Sequence, residues 1–143
     1  MKIPHLTVSR TISAPVEAVW ALLSDTESWP MWGPSVRAVQ CPDGVISKGS
    51  TGRVQTSLGP WVPFEITEYD PPPIGRWAWR VGPIGATGHQ AVAAPGDPDA
   101  TVVSFEIPAW AAPYAPVCIA ALSRLDALTA QLVDDGDAAG EAP

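Results

Sequence analysis

Residues 114–133 read YAPVCIAALSRLDALTAQLV, and this stretch decides the fold. Val117, Cys118, Ala121, Leu122, Leu125, Leu128 and Leu132 recur at three- and four-residue steps, which puts them on one face of a helix. Ser123, Arg124, Asp126, Thr129 and Gln131 fall on the other side. Pro113 and Pro116 stand where a helix begins and where its missing N–H does no harm. Gly136 follows as a stop signal. At about 1.5 Å per residue the predicted helix is roughly 25 to 30 Å long, the width of a small domain. Nearly everything before it reads as strands. The predicted class is α+β, a curved antiparallel sheet wrapped around this one helix. Such a helix either caps a solid core or forms the wall of a cavity, and only a cavity gives it a functional role.

Working back to the start of the chain, Ile3 to Ser13 alternates Leu6, Val8 and Ile12 with Thr7, Ser9 and Thr11, the period of a strand. Arg10 falls on the apolar parity, so it lies near a strand end or faces something polar inside. Ser13-Ala14-Pro15 predicts a helix start with Ser13 as cap, and Val16, Val19, Trp20 and Leu23 form the stripe of that helix. Thr26 is the expected cap of a second short helix, Glu27 to Trp32, which Gly33 and Pro34 close. Six further strands are predicted at Val36–Cys41, Ser50–Ser57, Trp61–Tyr69, Arg76–Val81, Thr87–Ala93 and Thr101–Pro108. The segments between them carry turn chemistry: Pro42-Asp43-Gly44, Leu58-Gly59-Pro60, Asp70-Pro71-Pro72-Pro73, Gly82-Pro83-Ile84-Gly85 and Pro95 to Asp99. Even spacing without intervening helices implies an antiparallel meander. Pro108 to Pro113 reads as a linker. The domain is expected to span residues 1–133, with an acidic, frayed tail over 134–143.

The chain has 143 residues, 46% of them hydrophobic, with seven Trp, enough for one domain with a real core. Its net charge of −7 is concentrated in the tail, where four of the fifteen acids stand without a base. No Lys/Arg cluster exists, which argues against nucleic acid or an anionic membrane surface as partner. No run is long enough for stable insertion into a membrane. Cys41 and Cys118 are read as reduced thiols. Met1 to His5 leads into a strand pattern and not an apolar leader, so a cytoplasmic location is the expectation. The sequence holds no metal-ligand spacing, phosphate loop or G-x-S-x-G motif, and no cofactor is expected.

The order of one strand, two short helices, six strands and one long helix resembles the START-like or SRPBCC superfamily and its helix-grip fold. Local motifs carry the resemblance. Thr11-Ile12-Ser13-Ala14-Pro15-Val16-Glu17-Ala18-Val19-Trp20 is similar to the family's strand-to-helix opening. Ser24-Asp25-Thr26-Glu27-Ser28-Trp29-Pro30-Met31-Trp32 is similar to the D-x-x-x-W-x-x-W stretch that follows it, and Glu65 to Pro72 to the family's E-x-D-P-P strand end and turn. The nearest branch is that of polyketide cyclases/dehydrases and lipid transport, and the resemblance covers residues 3–133. It implies a deep, mostly apolar tunnel between sheet and long helix, its mouth rimmed by strand turns and short helices. It does not by itself choose a chemistry.

Candidate residues follow from the strand parities. Trp29 and Trp32 either rim the entrance or wedge the short helices onto the sheet. Trp61, Phe64, Trp77 and Trp79 offer flat rings to a flat ligand, although each strand also has an outer face. His89 stands among Thr87, Gly88, Gln90 and Ala91, small neighbours that leave room for a ligand. It is a candidate acid, base or hydrogen-bonding group, or else a structural histidine. Arg53, Glu65, Arg80 and Arg10 are either inward polar anchors or, the favoured reading for most of them, outer-face residues. Trp110 and Tyr114 flank the entry to the long helix, and Tyr114 either donates into the tunnel or packs. Cys118 reads as a tunnel-side core residue and not a nucleophile. The first functional reading is binding of a hydrophobic small molecule of lipid, isoprenoid or aromatic polyketide type. The alternative is an aromatase-like cyclase/dehydrase that folds a bound chain, with His89 or Tyr114 handling protons.

Overall fold

The structure is a computed structural model that describes residues 5–82 and 85–140, with 132–140 as backbone. Seven antiparallel strands form a single curled sheet: β1 His5–Ile12, β2 Val36–Gln40, β3 Thr51–Thr56, β4 Trp61–Asp70, β5 Arg76–Val81, β6 Gly85–Ala94 and β7 Asp97–Pro108. Their spatial order is β1-β7-β6-β5-β4-β3-β2, so the first strand pairs with the last and the rest run as a meander. Two short helices, α1 Val16–Ser24 and α2 Trp29–Trp32, carry the chain from one sheet edge to the other, and α3 Ala115–Gly140 packs against β1, β7, α1 and α2. This is the helix-grip arrangement that the long apolar helix predicted. No helix among the described residues is long and apolar enough to cross a membrane.

The sheet curls because its ladders slip. Register shifts lie at Val36/Ala38, Ile66/Glu68 and Ala93/Ala94, and such bulges bend the strand and increase its twist. The inner face carries Ile12, Val54, Phe64, Ile66, Trp77, Val103, Phe105 and Ile107, all buried. Cys118, Ala121, Leu122 and Leu125 of α3 close over them, while Val117 and Leu128 are half-buried.

Several local expectations are corrected. Ser13 does not cap α1; the cap position falls on Pro15, with no side-chain bond. Asp25, not Thr26, caps the second element, accepting from Glu27 N at 3.0 Å, and that element opens with a 3₁₀ turn, Thr26–Ser28. The Thr26 hydroxyl is buried and donates instead to Gly44 O at 2.6 Å, because the loop carrying Gly44 lies against it. Strand β7 begins at Asp97, where Ala94 pairs with Asp97 around a tight turn that puts Gly96 at φ 76°. The linker Ala109–Tyr114 is a 3₁₀ helix. Helix α3 continues through Gly136 to Gly140, since an interior glycine costs a helix only about 1 kcal/mol. Thr129, expected outside, is buried, its hydroxyl returning to Leu125 O at 2.9 Å. The start of β1 at Ile3, Pro83-Ile84, the Leu132 side chain and the end of the acidic tail lie outside the described residues.

Candidate functional site

Between the inner face of the sheet and α3 lies a cavity of about 340 Å³. Its wall is aromatic because alternate residues of three neighbouring strands face it. Register pairs Trp77 of β5 with His89 of β6, and His89 with Phe105 of β7, so three rings form one row across the sheet. Trp79 and Thr87 form the next pair along. Helix α2 adds Trp29 and Trp32 from the side, and α3 adds Val117, Cys118 and Ala121 from above.

The rings pack in a specific way. Trp77 is nearly parallel to Trp29, with centroids 5.4 Å apart at 7°, and to His89, 3.8 Å apart at 14°. Phe105 meets His89 edge-on at 5.2 Å, and Trp79 meets Trp29 edge-on at 5.3 Å. Trp29 and Trp32 combine the two roles left open by the sequence. Their indole nitrogens donate to Leu23 O and Leu22 O of α1, both at 2.9 Å, which wedges α2 in place, and their rings line the cavity.

The polar groups facing this space are held neutral. The His89 pKa is lowered to about 3, chiefly by burial; a hydrogen bond with the Trp77 backbone pulls the other way, and the Arg76 charge adds to the lowering. Burial raises the Tyr114 phenol, against its hydrogen bond to Ser35, and burial raises the Cys118 thiol. Cys118 is therefore a protonated thiol in the wall. Two nitrogens are left over. Trp77 Nε1 and His89 Nδ1 are buried and have no hydrogen-bond partner among the described residues. Trp79 Nε1, by contrast, donates to the Thr87 hydroxyl.

Of the residues singled out from the sequence, Trp29, Trp32, Trp77, Trp79, His89, Tyr114 and Cys118 line the cavity. Phe64, Arg53 and Trp110 do not. Phe64 is on the inner face, but Trp29 and Trp79 cover it, with ring centroids 5.4 and 5.3 Å away. Arg53 is on the outer face, its Nε donating to Gln40 Oε1 at 2.6 Å and its guanidinium 4.9 Å over the Trp61 ring. Trp110 sits on the 3₁₀ helix and is 64% exposed. Glu65 and Arg80 are exposed on the outer face, as favoured. Arg10 does face inward, but at the edge strand, where its Nη2 meets Asp126 of α3 at 2.6 Å and fastens that helix. Sequence reasoning missed Phe105, Thr87 and Ser35. Phe105 shares its parity with Val103 and Ile107, and that signal was available. Ser35 had none: it joins the mouth because its hydroxyl pairs with Tyr114 and its carbonyl accepts from Ser57 N at 3.1 Å.

Comparison with known proteins agrees with this geometry. The family model described as polyketide cyclase/dehydrase and lipid transport matches residues 4–134. Protein XoxI of Bacillus cereus superposes with a TM-score of 0.71 at 15% identity, covering 90% of this chain and 96% of that one. A hypothetical protein of Helicobacter pylori gives 0.74 at 12% identity, covering 90% and 89%. At such identities the likeness is one of fold. The oxopyrrolidines biosynthesis cluster protein O of Penicillium oxalicum is 32% identical over 48% of this chain. The match spans 42% of that relative, less than half its length.

Proposed function

From a chain that belongs to the polyketide cyclase/dehydrase and lipid transport family, we propose a protein that binds one hydrophobic small molecule in the cavity between sheet and α3. The observation that carries this reading is the ring-lined space itself, open at its mouth beside Leu58. Its volume of about 340 Å³ falls within the roughly 300 to 1,000 Å³ of small-molecule sites. A core built only for stability would close such a space, since each unfilled volume costs packing energy. The aromatic wall, which includes the half-buried Trp79, suits an apolar ligand.

The direct test uses the indoles as reporters. N-phenyl-1-naphthylamine, a neutral apolar probe, should quench the intrinsic fluorescence saturably, and native mass spectrometry should retain a one-to-one complex. Protein that neither quenches nor carries any extractable apolar molecule from its host would sink the reading.

A second reading, cyclisation and dehydration of a bound chain, draws support from the family description and from the relative named for a biosynthesis cluster. In that case placement supplies most of the rate, because His89 is a weak base when its ring resists protonation. Loss of water from a bound poly-carbonyl compound, followed by mass, distinguishes this reading from simple carriage.

A further inference from the structure

The two ends of the sheet differ in charge. One end gathers the start of β2, the β3–β4 turn, the β5–β6 connection and the linker from β7 to α3, because Val36 pairs with Thr56, Val81 with Gly85 and Pro108 with His5. In sequence these segments are Gly33-Pro34-Ser35-Val36, Ser57-Leu58-Gly59-Pro60, Gly82-Pro83-Ile84-Gly85 and Ala109 to Val117, and none holds a Lys, Arg, Asp or Glu. The opposite end carries Asp43, Lys48, Asp70, Arg76, Asp97 and Asp99. Arg37 and Arg80 are the first charges inward from the uncharged end, each one residue inside its strand.

The cavity opens at the uncharged end, where Ser35, Ser57, Leu58 and Tyr114 line its mouth. Ser35 pairs with the Tyr114 hydroxyl and its carbonyl accepts from Ser57 N at 3.1 Å, which ties three of these segments into one rim. Two large apolar side chains project there: Leu58, 92% exposed on the β3–β4 turn, and Trp110, 64% exposed on the 3₁₀ helix. Single exposed apolar residues are ordinary on a protein surface. Val45 and Ile74, at the other end, are of that kind, and stand between Asp43 and Lys48 and between Asp70 and Arg76. Leu58 and Trp110 differ because the segments that carry them hold no charge at all.

The partner that fits such a rim is uncharged and apolar. A charged protein surface would lose its hydration here and find no counter-charge. A second copy of the chain would need to bury about 800 Å² on each side, which two projecting side chains do not supply. A bilayer needs only those two, since indole and leucine side chains insert at the boundary of headgroups and acyl chains. The net charge of −7 disfavours an anionic leaflet and leaves a zwitterionic one.

We propose that the mouth end docks on the surface of an electrically neutral membrane, with Leu58 and Trp110 inserted among the lipids. A hydrophobic ligand then passes between bilayer and cavity without crossing water. The inference rests on the binding reading above and adds the place where the ligand is exchanged. The docking is weak and reversible, on the order of a single acyl anchor or below, about 10⁴ M⁻¹.

The test is co-sedimentation with sucrose-loaded phosphatidylcholine vesicles. The native protein should sediment with them, and should still do so in high salt, which screens charge attraction but not apolar insertion. Leu58→Asp and Trp110→Asp should each lower the partition coefficient at least about tenfold. Ile74→Asp, an equally exposed position at the charged end, should leave it unchanged. Trp110 does not line the cavity, so Trp110→Asp should keep saturable quenching by N-phenyl-1-naphthylamine while losing the vesicles; should it not fold, Leu58→Asp decides. Absence of native protein from the vesicle pellet, release in high salt, or an equal loss in Ile74→Asp overturns the proposal. A dimer in solution that Leu58→Asp abolishes, without vesicle binding, also overturns it and makes a second copy the occupant. In each of these cases retained probe quenching leaves the cavity reading standing, and vesicle binding without quenching removes that reading and the ligand exchange with it.

Discussion

The two faces of strands β5, β6 and β7 differ more than any two regions of the molecule, although they are made by alternating residues. Outside, Arg76 reaches Glu68 of β4 at 3.1 Å and Glu106 of β7 at 2.7 Å, spanning β6 where Gly88 has no side chain to obstruct it. Every charge in that cluster has a partner. Inside, one residue further along each strand, Trp77, His89 and Phe105 stack in a row and leave two nitrogens unpaired. The outer face shows that these strands can satisfy their polar groups when water competes for them. The inner face buries these rings against one another, where neither water nor a polar side chain reaches the Trp77 indole nitrogen.

The largest way to break the comparison is to remove an inner ring. Trp29 is 1% exposed and stacks on Trp77 while holding α2 to α1. Trp29→Ala should cost about 3–5 kcal/mol in chemical denaturation, the range for a buried aromatic. A loss below about 1 kcal/mol would mean that the inner face tolerates a void and that the stack is not what shapes it.

His89 gives the next largest effect, and its sign is fixed. Its pKa is about 3 in the fold against an ordinary 6.5, so the fold favours the neutral ring. That contribution is fully present above pH 6.5 and is lost as the pH falls from 6.5 toward about 3. Within this window the residue should contribute a slope of about 1.4 kcal/mol per pH unit to stability. The difference between the native protein and His89→Phe, measured by denaturation across pH 6.5 to 4, isolates it from the carboxylates. A difference that does not change with pH would place the ring in contact with solvent.

The smallest effect is expected on the outer face. A methyl at Gly88 would come within 2.9 Å of Arg76 Nη2, the far end of a side chain held by Glu68 and Glu106, so Gly88→Ala should displace the guanidinium and loosen those ion pairs rather than move the strand. The cost should stay within about 1 kcal/mol and shrink in high salt, as for partly exposed ion pairs. A larger, salt-independent loss would show that the outer cluster also shapes the cavity wall behind it.

Much of this was legible in residue order. The three- and four-residue steps of Cys118, Leu122 and Leu125 gave the long helix and its inner face, and Trp77 and Trp79 shared one face of their strand, inward or outward, before any pairing was known. The limits of that reading have local causes. A strict period of two would put Glu68 on the same face as Ile66. The bulge between them turns Glu68 outward to Arg76 and Tyr69 inward, where its ring lies 5.7 Å from Trp20. Trp110 has no period to read, since it lies on a 3₁₀ turn. Phe64 has the right parity but the wrong neighbour, because α2 lays Trp29 over it.

The sequence by itself determined the order of elements, the apolar helix face and the lack of any Lys/Arg run along the chain, because these depend on periodicity and composition within a short reach of chain. Tertiary structure alone decided that His89 lies on Trp77, that Arg76 closes over Gly88, and that a ring-lined space remains between sheet and helix. Those facts depend on which residue of one strand stands opposite which residue of another. Register across a curled sheet is fixed by distant bulges and by the helix it grips, and no local pattern carries it.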